Sequence, residues 1–383
     1  MATHRLLVVF GTRPEAIKLA PVISALRSAA DVRVCVTAQH RSMLDQVLRV
    51  FDIRPDRDLN LMRPGQDLYD VTAGVLTAMR DVLASERPQL LIVQGDTTTT
   101  MAAALAAFYA HVPVAHVEAG LRTGDPLRPF PEEVNRRLTT ILAAMHFAPT
   151  NGARENLVHE GVAPERITVT GNTGIDALLS VTERLMRGAI TVKLPDAVER
   201  VSQGRRVILV TGHRRESFGQ GFRDICEGLR RIVETRPDVA IVYPVHLNPN
   251  VRGPVFERLG NQPRVVLVEP LDYVPFVALM QRADVLLTDS GGIQEEAPSL
   301  GKPVLVMRDQ TERPEGVTAG VARLVGTDPA RIHGEVTHLL DATESRPTSA
   351  TNPYGDGRAA ARIAEVIARF LAALPVSAEG SFK

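Results

Sequence analysis

Three acidic residues stand at predicted strand or helix ends in the first half of the chain, where carboxylates can exchange protons with a bound substrate. Asp96 comes shortly after the apolar run Leu90–Val93, and Glu118 closes the run Val114–Val117. Glu132 opens a predicted helix. An acid that caps a helix is a sufficient structural explanation of Asp96 and Glu132. Glu118 lacks that explanation, because a charge that ends an apolar strand is costly to bury without a partner.

Other predicted strands lead into segments that suit an anion. Arg13 stands at a predicted helix start, where a cation opposes the helix dipole unless an anion is bound there. The turn Ser290-Gly291-Gly292 allows close backbone approach, and its N–H groups can hold a diphosphate. Glu295 or Glu296, about one turn later, can accept hydrogen bonds from ribose hydroxyls. The structural alternatives are a surface arginine beside a cap and a plain glycine turn with solvated carboxylates.

A histidine and a charged loop follow two further strands of the second half. His213 leaves a strand and can act as a general acid, a general base or a phosphate contact. The segment Met307–Glu315 is rich in charge where a loop should face a ligand. A G-x-G-x-x-G motif after the first strand and a P-loop are both lacking, so nicotinamide and ATP binding have no sequence signal. No Cys/His spacing indicates a zinc site, and we expect neither a metal nor a cofactor.

The elements that must position these residues alternate between short apolar runs and helical patterns. This alternation predicts doubly wound parallel sheets in an α/β protein. A less regular segment around residues 187–205 separates two such series, which predicts two Rossmann-like halves. The predicted strands are Leu6–Phe10, Val32–Thr37, Leu90–Val93, Val114–Val117 and Ile167–Thr170 in the first half, and Val207–Thr211, Ala240–Val245, Val265–Val268, Val285–Thr288 and Pro303–Val306 in the second.

Composition excludes several classes of protein. At 383 residues the chain fits two domains of ordinary size. Its 44 basic and 44 acidic residues balance, so no net field favours nucleic acid or an anionic membrane. Two cysteines rule out a disulfide framework. The run Leu6–Phe10 is too short for a signal peptide, and nothing approaches the ~20 apolar residues of a membrane span. These features predict a cytoplasmic protein.

Taken in order, the motifs resemble those of the non-hydrolysing UDP-N-acetylglucosamine 2-epimerases of bacteria over nearly the whole chain. The matching segments are Gly11-Thr12-Arg13-Pro14-Glu15, Gln94-Gly95-Asp96-Thr97, His116-Val117-Glu118-Ala119-Gly120-Leu121-Arg122-Thr123, Gly171-Asn172-Thr173, His213-Arg214-Arg215-Glu216, His246-Leu247-Asn248-Pro249, Asp289-Ser290-Gly291-Gly292 and Asn352-Pro353-Tyr354-Gly355-Asp356-Gly357.

The resemblance implies the GT-B fold, in which two Rossmann-like domains with parallel sheets have a cleft between them. Residues 1–186 would form the N-terminal domain, onto which a C-terminal helix at 356–374 would cross back. Residues 187–355 would form the UDP-binding domain. Family members also lead us to expect a homodimer, with UDP-N-acetylglucosamine and UDP as ligands and no nucleic acid or membrane partner.

Particular positions acquire roles from the same resemblance. The residues expected to hold UDP are Arg13, Phe276, Ser290, Gly291, Gly292 and Glu296. Those expected around the diphosphate and the sugar are Lys18, Asp96, Glu118, Glu132, Arg136, His213 and Arg313.

The implied reaction is the inversion of C2 by loss of UDP across C1–C2, which gives 2-acetamidoglucal, and by return of UDP to C1. The C2 proton is poorly acidic until the C1–O bond stretches and cation character develops at C1. Arg13, His213 and the Ser290 turn would stabilise the departing diphosphate. Asp96, Glu118 and Glu132 are alternatives for the proton transfer, and delivery to the opposite face suggests that two groups take part.

Bacterial members often bind a second substrate molecule that acts as an activator. The positions that match this second site are Gln39, His40, Gln66, Glu132, Arg214 and His246. Ser42 and Gly65 depart from the glutamine and arginine expected there, so we expect activation to be weakened or altered.

Three rival functions use the same nucleotide-binding features. A GT-B glycosyltransferase would pass the sugar to an acceptor and would not need the clustered acids. A hydrolysing epimerase would release free N-acetylmannosamine and UDP. A silent nucleotide-sugar sensor would bind without turnover, which the acid cluster disfavours.

Overall fold

The computed structural model describes residues 4–37, 41–63, 65–342 and 352–374, which fall into two compact units. The first unit contains the described residues up to Ala177 and those from Gly357 onward, and the second contains those from Leu178 to Asp356. The division lies inside the helix Thr173–Met186, ahead of the boundary expected at residue 186.

A parallel sheet forms the centre of the first unit. Its described strands are β1 Arg5–Phe10, β2 Asp31–Val36, β3 Arg57–Asp58, β4 Leu90–Gln94, β5 Val114–Val117, β6 Met145–Ala148 and β7 Ile167–Val169. They are hydrogen-bonded in the order β3-β2-β1-β4-β5-β6-β7. The order reverses between β1 and β4, and ligands of open α/β sheets bind beyond the carboxyl ends of strands at such a reversal.

Helices cover this sheet in the described part of the first unit. They are α1 Arg13–Leu26, α2 Arg41–Val50, α3 Leu68–Glu86, α4 Thr98–Tyr109, α5 Glu132–Leu142, α6 Asn151–His159, α7 Thr173–Met186 and α15 Ala359–Ala373, with a 3-10 turn at Pro164–Arg166. Alanines of α4 line the interface with α3, where their small side chains permit close packing. One part of the core of the unit therefore lies between the sheet and this helix pair.

The C-terminal helix α15 packs on α1 within the first unit. Its start is capped by Asp176, whose carboxylate accepts the backbone N–H groups of Ala359 at 3.2 Å and Ala360 at 2.8 Å. The helix begins at Ala359 rather than at the expected residue 356, because Gly357 has a φ of +78°, outside the right-handed helical region.

A second parallel sheet forms the centre of the second unit. Its described strands are β8 Arg206–Thr211, β9 Val239–Pro244, β10 Val265–Val268, β11 Val285–Thr288, β12 Val304–Val306 and β13 Ala322–Leu324, hydrogen-bonded in the order β10-β9-β8-β11-β12-β13. Its helices are α8 Asp196–Ser202, α9 Gln220–Thr235, α10 Pro249–Leu259, α11 Tyr273–Arg282, α12 Gly291–Glu296, α13 Pro314–Thr318 and α14 Pro329–Asp341, with 3-10 turns at Arg215–Ser217 and Ala297–Leu300.

The prediction of two Rossmann-like halves is confirmed, and three strands were missed. β6 contains His146, which interrupts an apolar run, and β13 contains a central arginine. The edge strand β3 is two charged residues long and exists only through its pairing with β2. Such strands are defined by tertiary hydrogen bonding and not by an apolar pattern.

Cys35 and Cys226 are both buried and unpaired.

Among the helices that the structure describes, none has the length and apolar character to cross a membrane.

Candidate active site

Glu118 stands at the carboxyl end of β5 with its side chain turned into the protein. The residue is 8% exposed and has a φ of +63°, which is uncommon outside glycine. The Lys18 ammonium lies 2.6 Å from its carboxylate, and the Gln94 amide donates a hydrogen bond to it. The predicted need for a partner is therefore met by a cation from α1 and an amide from β4. Backbone strain at such a residue is a common feature of functional sites.

Asp96 follows β4 and does not cap the next helix. That role belongs to Thr97, whose hydroxyl accepts the Thr100 N–H of α4 at 3.1 Å. The Asp96 carboxylate is instead paired with Arg136 of α5, at 2.6 Å from Nη2 and 2.9 Å from Nε. Asn135 donates to the Asp96 carbonyl at 2.9 Å. The structural explanation of Asp96 as a cap is therefore wrong, and its carboxylate is held by α5.

Glu132 and Glu133 begin α5 and have different surroundings. Glu132 has one carboxylate oxygen that is buried and meets no hydrogen-bond donor among the described residues. Glu133 is fully buried and accepts the N–H groups of Thr123 at 3.1 Å and Gly124 at 3.3 Å. It also lies 3.3 Å from the Arg136 guanidinium. The sequence analysis assigned no role to Glu133, although this residue is adjacent to Glu132.

The turn that carries Arg13 lies between β1 and α1. Thr12 and Glu15 form a capping box there, in which the Glu15 carboxylate accepts the backbone N–H groups of Gly11 and Thr12. Arg13 is partly buried and forms no ion pair within the described ranges. A guanidinium at a helix start that has no protein anion is available to a ligand anion.

Two histidines lie inside the first sheet. His116 of β5 and His146 of β6 are paired across the two strands, and both are buried. Burial lowers the pKa of His116 to about 4 and that of His146 to about 3. Both rings are therefore neutral near pH 7. His116 Nε2 lies 2.8 Å from the Gly95 carbonyl, so this ring supports the turn that bears Asp96.

Asp289 is a buried residue at the carboxyl edge of the second sheet. It follows β11, is 1% exposed and accepts the backbone N–H groups of His213 at 2.7 Å and Arg214 at 2.8 Å. The His213 Nδ1 atom lies 3.1 Å from Asp289 Oδ1. Burial opposes ionisation, but the hydrogen bonds from His213 and Arg214 outweigh it and hold the Asp289 pKa below its usual value. Asp289 therefore orients His213, a role that sequence reasoning missed.

His213 and His246 are stacked and exposed. Their ring centroids are 5.7 Å apart, with 28° between the planes. The Asn248 N–H donates to His246 Nδ1 at 3.1 Å, which leaves Nε2 as the protonated atom of the neutral ring. Desolvation and the neighbouring His213 lower the pKa of His246. His246 therefore presents an N–H donor at Nε2, whereas the Nδ1 atom of His213 faces the Asp289 carboxylate.

Ser290 begins α12 at the glycine turn. Its backbone N–H donates to the Thr288 hydroxyl at 3.0 Å, and its own hydroxyl caps no N–H of α12 in the described structure. The Arg313 guanidinium lies over Gly291, where an added Cβ would stand 3.4 Å from Arg313 Cζ. Gly291 therefore permits close approach, as its position in the turn predicted.

Two adjacent glutamates of α12 are distinguished by burial. Glu295 is 4% exposed and pairs with Arg313, whereas Glu296 is partly exposed. Glu296 is therefore the accessible member of the pair that the sequence left open. Phe276 is partly buried on α11 of the same unit.

Three guanidinium groups surround the Glu312 carboxylate. Arg308 lies 3.4 Å from it, Arg313 3.5 Å and Arg214 3.9 Å. Burial opposes ionisation of Glu312, but Arg308 and the other two arginines hold its pKa below the usual value. Arg308 also pairs with Glu216 and Arg313 with Glu295, so the three guanidinium groups of this cluster are matched by three carboxylates.

The expected activator positions are only partly described. Gln39 and His40 lie outside the described residues, and the Ser42 side chain does as well. Gln66 accepts the Arg63 N–H at 2.7 Å through its side chain. Gly65 has a φ of +79°, a conformation in which an arginine would be strained.

The structure thus joins Lys18 to Glu118 and Asp96 to Arg136 in the first unit, with Glu132 on the same helix as Arg136. In the second unit it joins His213 to the Asp289–Ser290 turn and Arg313 to Gly291. Among the described residues, no cluster of His, Cys, Asp and Glu has the geometry to hold a metal ion.

Comparisons with known proteins agree with this geometry. A family model described as UDP-N-acetylglucosamine 2-epimerase matches residues 24–368. A probable UDP-N-acetylglucosamine 2-epimerase of Ralstonia solanacearum is 58% identical over 373 residues, covering 96% of this chain and 100% of that protein. The UDP-N-acetylglucosamine 2-epimerase of Escherichia coli K12 is 57% identical over 368 residues, covering 95% and 98%.

A solved structure of UDP-GlcNAc 2-epimerase from Neisseria meningitidis, bound to UDP-GlcNAc, superposes with a TM-score of 0.85. It is 46% identical in sequence, and the match covers 95% of this chain and 100% of that one. The GT-B type of fold inferred from the sequence motifs is confirmed. The chain therefore belongs to the UDP-N-acetylglucosamine 2-epimerase family of isomerases.

Proposed function

We propose that this protein interconverts UDP-N-acetylglucosamine and UDP-N-acetylmannosamine by elimination and re-addition of UDP. The observation that carries the proposal is the buried Glu118 carboxylate paired with Lys18, in a unit that also holds the Asp96–Arg136 pair. Paired carboxylates at the carboxyl edge of a parallel sheet suit proton transfer to a bound sugar. The family membership supports the choice of substrate.

The first step breaks two bonds of the sugar. The C1–O bond breaks with its electron pair moving to the β-phosphate oxygen of UDP, while a carboxylate removes the C2 proton. The electron pair of the C2–H bond forms the C1=C2 bond of 2-acetamidoglucal. In the second step the UDP oxygen returns to C1, and a proton reaches C2 from the opposite face. The sum contains no oxidation, so a nicotinamide is not required.

We assign the departing diphosphate to donors of both chain halves. Arg13 has no protein anion within the described ranges, and Ser290 and His213 present a hydroxyl and an imidazole beside Asp289. Glu296 and Phe276 are assigned to the nucleotide, and Arg313 to the surroundings of the diphosphate and the sugar. Donors that are placed before the charge develops stabilise it without reorganisation, which is the usual source of large rate effects.

The proton transfers are assigned to Asp96, Glu118 and Glu132 as a group. The Asp96 carboxylate is paired with Arg136 and the Glu118 carboxylate with Lys18, so a cation holds each acid in place. Glu132 has a buried oxygen with no donor in the described structure, which suits a carboxylate that carries a proton in turn. Two of the three would serve the two faces of the sugar.

Proton NMR of the purified protein with UDP-N-acetylglucosamine in D₂O tests the proposal. We expect UDP-N-acetylmannosamine with deuterium at C2, formed without added nicotinamide or metal. Free N-acetylmannosamine with UDP would indicate a hydrolysing enzyme. Unchanged substrate at high concentration would reject the epimerase and favour a glycosyltransferase or a sensor.

We also propose that the chain forms a homodimer in the cytoplasm. The exposed apolar face of α5, formed by Val134, Leu138 and Ile141, supports self-association, since such faces mark interaction sites. Ile141→Asp should shift the sedimentation coefficient to that of a monomer. Met186→Asp, which changes an equally exposed apolar residue elsewhere, should leave the dimer intact. A wild-type protein that sediments as a monomer would refute the dimer.

Activation by a second substrate molecule is proposed to be weakened here. The support is Gly65, whose left-handed backbone disfavours the arginine expected at this position. The velocity curve should rise hyperbolically with substrate. Strong sigmoidicity, with a lag at low substrate concentration, would contradict this.

A further inference from the structure

Glu15 binds two separate turns of the first unit through one buried carboxylate. The residue is 2% exposed. Its Oε2 atom accepts the N–H groups of Gly11 at 3.0 Å and Thr12 at 2.7 Å. Its Oε1 atom accepts the hydroxyl of Thr97 at 2.7 Å and lies 3.0 Å from the Thr100 hydroxyl, which is also 2.7 Å from the Gln94 carbonyl. Polar groups of two turns therefore surround both oxygens of this carboxylate.

Helix capping explains only half of this arrangement. The capping box of α1 needs the bonds from Oε2 and nothing more. At the other turn, the cap of α4 is already made by Thr97, which accepts the Thr100 N–H. The contacts that the Thr97 and Thr100 hydroxyls make with Oε1 are required by neither cap. Their remaining effect is to join the start of α1 to the start of α4, 82 residues apart in sequence.

Each of the two joined turns carries a residue assigned to the reaction. Arg13 follows Thr12 directly, and Asp96 precedes Thr97 directly. We propose that Glu15 is a positioning residue, whose carboxylate holds the turn of Arg13 at a fixed distance from the turn of Asp96. The inference rests on the proposed function, because that function assigns diphosphate stabilisation to one turn and proton transfer to the other.

The free-energy cost of burying the Glu15 carboxyl group supports a functional role for this residue. Burial raises the pKa of Glu15, and the hydrogen bonds from Thr97, Thr12 and Gly11 offset this only in part. The fold therefore keeps an ionisable group where a neutral one would be easier to bury. Glutamine at this position satisfies a capping box as well as glutamate does. Replacement by glutamine thus separates a cap from a charged link between turns.

The test compares Glu15→Gln, Thr100→Val and the double variant with the wild type, with Thr100→Ser as the conservative variant that keeps the hydroxyl. We expect Glu15→Gln to lower kcat by about 10- to 100-fold, since a displacement of about 1 Å costs ~100-fold. KM should stay within about threefold, and Tm should not fall. Thr100→Val should lower kcat in the same direction, and Thr100→Ser should stay near the wild type. The double variant should be little worse than Glu15→Gln, because both remove one link.

A Glu15→Gln enzyme with unchanged kcat would overturn the inference and leave an ordinary cap. If Glu15→Gln fails to fold, equal kcat values of Thr100→Val and Thr100→Ser would overturn it instead. Failure of the proposed function has a different signature, which is a wild-type protein that does not turn over the substrate at all.

Discussion

At the carboxyl edge of the first sheet the Glu118 side chain is 6% exposed and already bonded to Lys18 and Gln94. At the carboxyl edge of the second sheet the His213 side chain is 41% exposed. Asp96 and Glu15 resemble Glu118 in being held by protein donors. Ser290 resembles His213, because its hydroxyl caps nothing in the described part of α12.

The contrast follows from the different roles proposed for the two edges, which are proton transfer at the first and diphosphate binding at the second. A carboxylate that transfers protons must have a defined position and charge state, and in a low-dielectric setting only protein partners can supply both. A diphosphate site needs donors that remain available until the ligand arrives. The first edge is therefore organised in advance, and the second has polar groups for the ligand to satisfy.

The largest expected effect comes from a substitution that changes only the carboxyl edge of the first sheet. Glu118→Gln removes the charge that Lys18 pairs with, and kcat should fall about 1,000-fold, within the range for general acid–base groups. The dissociation constant of UDP, measured by calorimetry, should change by less than about threefold. Glu155→Gln, on the exposed surface of α6, is the control and should keep full activity. Equal losses of turnover and UDP affinity would abolish the distinction between the edges.

Acid should destabilise the first unit through the buried histidines of β5 and β6. Because burial lowers the pKa of His146 to about 3 and of His116 to about 4, the unfolded chain binds protons in a range where the folded chain does not. Stability is therefore full above pH 6.5 and falls as pH decreases toward these values, by about 2 kcal/mol per histidine at pH 5.

Chemical denaturation at pH 7 and pH 5, with amide exchange read in β5 and β6, measures this loss. His146→Leu should remove about half of it, because one of the two buried rings is gone. His159→Leu, an exposed change in the same unit, should leave the loss as in the wild type. An equal pH dependence in His146→Leu and wild type would reject the assignment.

The smallest effect concerns the second edge. Ser290→Ala removes one hydroxyl donor, and UDP affinity should fall about tenfold, which corresponds to ~1.4 kcal/mol for one hydrogen bond to a charged group. Thermal stability should not change, since the hydroxyl caps no N–H of α12 in the described structure. A large fall in Tm with unchanged UDP affinity would mean that this hydroxyl has a structural role instead.

The sequence predicted the sheets better than the helices. Val114–Val117, Val265–Val268 and Val285–Thr288 were predicted with the bounds the structure has, because each is a short and mainly apolar run. In the second half the sequence predicts helices near Gly221–Thr235, Pro275–Gln281 and Gln294–Leu300, and it misses others such as α10 and α14. Helix α10 contains an internal proline that breaks the helical pattern. The motif order was sufficient to identify the family.

The sequence did not predict which residues the site residues pair with. Lys18 and Glu118 are 100 residues apart, and Glu15 and Thr97 are 82 apart. They meet because β1 lies beside β4, and β4 beside β5, in the sheet. No local pattern encodes that order. Asp289 looked like part of a loop, and only its burial beneath the His213–Arg214 backbone revealed its role.

By itself the sequence determined the strand–helix alternation, the two Rossmann-like units and the family, because periodicity and ordered motifs are local properties of the chain. Tertiary structure alone decided which acid is paired with which cation, that Thr97 and not Asp96 caps α4, and that the histidines of β5 and β6 are neutral. Burial and charge pairing depend on neighbours that are distant in sequence, and folding brings those neighbours together.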